Sequence, residues 1–154
     1  MKLMPFMISM LFFLCFILFV FCGAFGYYRN RHGLENQLFL VMCILFSIWA
    51  IAFAGGNGAV TEQEAILWRK VSAIGWCSVY SVILHFVLLW TMPEFTKRVG
   101  AWMMFIYVPA VMMLYFYVLN PTTAILQYQV VRTAWGWAAL SVGGAIEGAF
   151  ALYY

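Results

Sequence analysis

TEQEAILWRKVSAIGWCSVYSVILHFVLLW, from Thr61 to Trp90, decides how the chain is read. Thr61 followed three residues later by Glu64 fits a capping box, in which each side chain satisfies a backbone N–H of the first turn. A helix is therefore expected to begin near Glu62. An apolar run then continues from Val71 to Trp90, about 20 residues, enough to cross a hydrocarbon core roughly 30 Å thick. One imidazole, His85, lies within this run, and Arg69 and Lys70 stand at its mouth. Polar groups at membrane depth are costly, so these three are the first candidates for function.

Composition extends the membrane reading to the whole chain. Of 154 residues, 67% are hydrophobic and 8% charged, and the mean hydropathy is +0.96. Soluble domains carry about 25% charged residues, so the expected class is a polytopic membrane protein with the lipid bilayer as its surroundings. No stretch is hydrophilic enough for a soluble domain. The basic residues behind the net charge of +3 are scattered over loops with no basic stripe, so no nucleic-acid partner is expected. Cys15, Cys22, Cys43 and Cys77 all fall in apolar runs without CxxC spacing, and read as small apolar packing residues rather than a disulfide framework.

Five apolar runs follow one another at about 3–28, 36–54, 62–91, 99–119 and 133–154, each close to the roughly 20 residues that span a bilayer. The expected fold is an all-α bundle of five transmembrane helices in a single membrane-embedded domain covering residues 1–154. The first run is too long for a signal-peptide core of about 7–15 residues and lacks a small-x-small cleavage site, so it reads as an uncleaved span. Short connections join the runs: Arg29 to Gly33, the glycine-rich turn Gly55 to Gly58, and Met92 to Arg98. After Asn120-Pro121 comes a longer connection in which Leu126, Tyr128 and Val130 alternate with Gln127 and Gln129. That period of two permits a short extracytoplasmic strand. Pro109 is expected to kink the fourth helix.

Loop charges set the orientation. Arg29, Arg31, Lys97 and Arg98 lie on one side, and Lys2, Arg69, Lys70 and Arg132 on the other, so a raw count ties. Arg69 and Lys70 lie inside the third helix and Glu62 and Glu64 precede them. The compact Arg-x-Arg and Lys-Arg clusters are therefore placed in the cytoplasm, with the N-terminus outside a bacterial cytoplasmic membrane.

Two groups of residues could carry function. At 100° per residue, Ser78, Ser81 and His85 share one helix face with Gly75 at its edge, and such a stripe turns toward other helices. His85 reads either as a hydrogen-bonded packing residue or as a proton-sensitive relay. Glu147 lies about 21 Å into the fifth run and His85 about 29 Å from Ile66 at 1.5 Å per residue, so both are expected in the inner half and in contact. A buried carboxylate needs such a partner or takes up a proton; the plainer reading is that Glu147 snorkels to the inner interface. Near the outer surface, Arg69, Trp76 and Arg132 are the candidates for receiving a small-molecule or lipid-like signal. The plainer readings are Arg snorkelling and an interfacial Trp belt. Gly144 and Gly148 form a GxxxG that allows close helix approach, within the chain or in a homodimer.

No catalytic signature is present: neither HExxH, nor GxSxG, nor a P-loop. No residues are assigned to catalysis, cofactor or metal, and the lysines Lys2, Lys70 and Lys97 all lie away from mid-membrane, so no retinal Schiff base is expected.

The order of several short segments resembles the seven-helix membrane input region at the N-terminus of some bacterial sensor histidine kinases and diguanylate cyclases. These are Asn36 with Ser47-Ile48-Trp49-Ala50, Trp68-Arg69, Ser72 to Trp76, Leu84 to Thr91, Asn120-Pro121 and Trp135-Gly136-Trp137. The resemblance implies a sensory module in a two-component pathway that relays a signal to a cytoplasmic kinase or cyclase and itself catalyses nothing. It also implies an N-terminus outside. Five runs are present where that family has seven, and no output domain is present, so a truncated input module is expected. A small transporter or channel subunit, or a structural membrane subunit, are the alternatives.

Overall fold

In the computed structural model, residues 3–119, 128–133 and 136–141 are described. Three long helices come first: α1 (Leu3–Arg29), α2 (Leu34–Gly56) and α3 (Glu62–Thr91). A fourth, composite rod follows. It consists of α4 (Pro93–Val99), a 3₁₀ segment (Gly100–Tyr107), α5 (Val108–Leu114) and a π-helical turn (Tyr115–Leu119). A hairpin of β1 (Tyr128–Thr133) and β2 (Gly136–Ser141) comes after it. Among the described residues, four segments are long and apolar enough to cross a membrane: Phe6–Arg29, Leu34–Gly56, Glu62–Thr91 and Pro93–Leu119.

α3 is the central element. It packs against α2 on one side and against α5, the 3₁₀ segment and the π turn on another, and it also meets both strands. Small residues make this possible. A Cβ on Gly75 would stand 2.7 Å from the Leu45 carbonyl oxygen and 2.8 Å from the Trp49 Cβ, so only glycine lets the α2 and α3 backbones approach this closely. On the other side, Ala73 and Cys77 are sealed against Met113 and Tyr117. The capping box at the start of α3 is formed as expected: the Glu64 amide donates to Thr61 Oγ1 at 3.2 Å, and Glu64 Oε2 accepts from the Val60 and Thr61 amides at 2.8 and 3.2 Å.

α1 lies along α2 through an aromatic seam, with Phe12–Phe53 and Phe19–Phe46 ring centroids 5.2 and 5.1 Å apart. Its remaining apolar side chains, among them Leu11, Leu18, Phe21 and Phe25, face outward, where a spanning helix meets lipid. The α1–α2 turn is tied by side chains: Asn36 donates to the Asn30 carbonyl and Gln37 to the Arg31 carbonyl. The cysteines are free; Cys43 and Cys77 are buried packing residues.

The fourth segment starts earlier than the expected residue 99, because Pro93 occupies the first turn of α4, where its missing N–H costs nothing. Thr96 then donates to the Leu88 and Met92 carbonyls, at 3.2 and 3.0 Å, and covers the C-terminal end of α3. Pro109 lies in the first turn of α5, so the irregularity it demands is spread through the preceding 3₁₀ segment.

The fifth expected helix, over 133–154, is corrected over 136–141, and residues 142–154 lie outside the described residues. Within it, Gly136–Ser141 forms β2, antiparallel to β1, with Val130 opposite Ala139 and Arg132 opposite Trp137. Hydropathy counts apolar content and is blind to pairing: Trp-Ala-Ala-Leu is as apolar in a strand as in a helix. The alternating segment supplies the partner, since Tyr128 and Val130 of the expected short strand belong to β1. Thr133 Oγ1 donates to the Gly136 carbonyl at 2.9 Å, closing the connected end of the pair. Glu147, Trp135 and the GxxxG fall outside the described residues.

Candidate functional site

The hairpin sits at the end of the bundle that carries the α2–α3 turn. The Trp137 amide donates to the Ala59 carbonyl at 3.2 Å, and Ala59 is buried. Gly136 makes the contact possible: its φ is 155°, and a Cβ there would stand 2.6 Å from the Ala59 oxygen. The hairpin thus closes over a turn that the glycine-rich sequence keeps low.

A cavity of about 180 Å³ opens beneath it, between α2, α3 and β2. Phe53, Ala65, Trp68, Ala138 and Ala139 supply apolar wall, and Asn57, Arg69 and Ser72 supply polar atoms. Arg69 and Ser72 share a face because residues three apart on a helix do. Asn57 comes from the end of α2, where its backbone amide continues the helix to the Phe53 carbonyl. Asn57 Nδ2, Arg69 Nε and Ser72 Oγ are each fully buried and lack a hydrogen-bond partner among the described residues. Three orphaned polar atoms around one small apolar cavity is an uncommon arrangement, since buried polar groups are nearly always satisfied.

Of the three outer candidates, Arg69 lines this cavity. Trp76 lies about two turns deeper on α3 and packs edge-on against Tyr117 of the π turn, centroids 5.3 Å apart. Arg132 is exposed on the hairpin, its guanidinium 5.9 Å from the Trp137 ring centre. The outer residues are therefore spread over three environments, and the cavity takes one of them.

On the C-terminal half of α3, His85 Nδ1 lies 2.7 Å from the Tyr107 hydroxyl, with the rings edge-on. Ser81 is buried and Gly75 faces α2, as the small-and-polar stripe predicts. The expected contact of His85 with Glu147 falls outside the described residues.

Three residues of these sites escaped the sequence reading. Ser72 was legible in principle, three positions after Arg69. Asn57 reads as a turn former, which it also is. Tyr107 is one of several tyrosines in an apolar run, and no spacing rule links it to another helix.

No curated protein and no solved structure matches the chain. A family described as the N-terminal 7TM region of histidine kinase matches residues 7–153, which contain every element bearing the cavity and the His85–Tyr107 contact. The chain is therefore a multi-pass membrane protein that belongs to the histidine kinase N-terminal 7TM family.

Proposed function

We propose that this chain is a membrane-embedded sensory input module. It receives a small-molecule or lipid-like signal at the end of the bundle closed by the hairpin, and relays it to a cytoplasmic kinase or cyclase. The observation that carries this reading is the apolar cavity on α3 with three orphaned polar atoms in its wall. Because α3 also packs against the whole fourth segment, a ligand that changes how α2, α3 and the hairpin fit together biases the packing of every later element. Such a ligand acts only through its different affinity for two packings.

In this reading the hairpin end faces outward. The Arg29–Arg31 and Lys97–Arg98 clusters face the cytoplasm, and the N-terminus is outside a bacterial cytoplasmic membrane. Arg69 is the signal-side residue, Trp76 and Tyr117 couple α3 to the fourth segment, and His85 with Tyr107 is the inner polar contact, with Glu147 as a further member. Arg132 guards the outer face of the hairpin. The module itself performs no catalysis.

The test is autophosphorylation of a coupled kinase, or cyclic dinucleotide synthesis by a coupled cyclase, in inside-out membrane vesicles. Arg69→Ala and Trp76→Ala are expected to shift the basal output state in one direction without loss of membrane insertion. Unchanged output in both variants, with an active output domain, rejects the reading. Thiol labelling of cysteines placed at Gly58 and at Lys97 checks the orientation, with Gly58 expected to react from outside.

A further inference from the structure

We infer that the cavity beneath the hairpin binds a small monocarboxylate carrying a compact apolar body. The inference rests on the sensory reading above for its biological sense but on the cavity alone for its chemistry. Two of the three orphaned atoms, Arg69 Nε and Asn57 Nδ2, are donors only, and the third, Ser72 Oγ, donates or accepts. The site therefore asks for an acceptor. Ser72 is 2% exposed, so its hydroxyl is committed to the interior rather than to solvent.

Charge sharpens the choice from acceptor to anion. Arg69 makes no ion pair among the described residues, the nearest acidic residues in sequence being Glu62 and Glu64, the second of which is occupied in the capping box. A guanidinium held against apolar wall is stabilised by a carboxylate, which accepts from its planar donors and from a neighbouring amide together.

Size and lining define the rest. A cavity of about 180 Å³ compares with the roughly 150 Å³ cavity that holds benzene. One ring or a short branched chain fills it, lying against Phe53 and Trp68 with the carboxylate toward Arg69. The same head chemistry occurs in fatty acids of the bilayer, whose tails exceed this volume.

The experiment is calorimetric titration of the chain in phosphatidylcholine nanodiscs with sodium benzoate, with benzamide as its uncharged counterpart, and with sodium oleate. Saturable benzoate binding is expected, at least tenfold tighter than benzamide. Arg69→Gln is expected to weaken it at least tenfold, and Ser72→Ala about fivefold. Lys70→Gln, one position outside the lining, is expected to leave it within twofold. Thermal unfolding of each variant separates lost binding from lost fold, and Ser72→Ala serves where Arg69→Gln unfolds.

Absence of saturable benzoate binding, equal binding of benzamide, or insensitivity to both substitutions overturns the proposal. So does binding of oleate that benzoate fails to displace, which assigns the head group to lipid. Benzoate binding without any change in phosphorylation leaves the site standing and removes the sensory reading. A phosphorylation response to Arg69→Ala without benzoate binding does the reverse.

Discussion

His85 Nδ1 and the Tyr107 hydroxyl stand 2.7 Å apart and join α3 to the 3₁₀ segment across 22 residues of sequence. The geometry follows from the connection between them. His85 is seven residues before Met92, and Tyr107 is seven residues past Gly100. α4, Pro93–Val99, fills the interval between them. Gly100, with φ of 50°, ends α4 in a backbone conformation that favours glycine.

An interhelical hydrogen bond at membrane depth contributes modestly, because the unfolded chain in lipid also finds partners. A double-mutant cycle of His85→Ala and Tyr107→Phe is expected to give a coupling of about 0.6–1.7 kcal/mol. The measurement is reversible unfolding in mixed micelles. Additive effects within error mean that the contact holds nothing. The same cycle run with Glu147→Gln in place of Tyr107→Phe tests whether that carboxylate also meets His85.

Gly75 tests the centre of the bundle. An added methyl would meet the Leu45 carbonyl oxygen at 2.7 Å and Trp49 at 2.8 Å, and the former is backbone that has no rotamer to give. Gly75→Ala is expected to destabilise by about 1–3 kcal/mol, the usual cost of overpacking. A wild-type unfolding midpoint for Gly75→Ala would mean that α2 and α3 are not in this close register.

Much of this architecture was legible because membrane burial writes itself into run length. The spans of α1 and α2 come out within two residues or so of expectation, and α3 spans 62–91 as its capping box announced. Arg69 stood out because a charge beside an apolar run has few innocent places to go. What failed has a common cause. The Trp137–Leu140 stretch, Ser72's orphaned hydroxyl and Tyr107's partner are all defined by other segments of chain. Composition and helical spacing carry no term for such contacts. Gly136 held the available clue, a glycine between two tryptophans where a helix would prefer almost anything else.

The capping box gives a prediction with little dependence on the membrane. Thr61→Ala removes the acceptor of the Glu64 amide, and Glu64→Ala frees the Val60 and Thr61 amides. Each is expected to cost about 1 kcal/mol. Amide hydrogen exchange should quicken through the first turn of α3 and leave the deeper α3 amides unchanged. Protection retained at Glu64 in Thr61→Ala would show that another group caps the helix.

Among the described residues, the hairpin meets the α2–α3 turn through one backbone bond and one glycine, which gives a sharp local test. In Gly136→Ala the new Cβ meets the Ala59 carbonyl oxygen at 2.6 Å, at a backbone φ of 155° that residues other than glycine rarely adopt. The hairpin must lift, and the bond from the Trp137 amide to Ala59 is lost. Because Ala138 and Ala139 wall the cavity, lifting also opens it. The four apolar spans do not depend on that bond, so the variant is expected to insert and to keep its helical content. The expected signature is faster exchange of the Trp137 amide, new protease sensitivity within 128–141, and weaker benzoate binding together. Trp137 protection at the wild-type level in Gly136→Ala would show that the hairpin is held by something other than the α2–α3 turn.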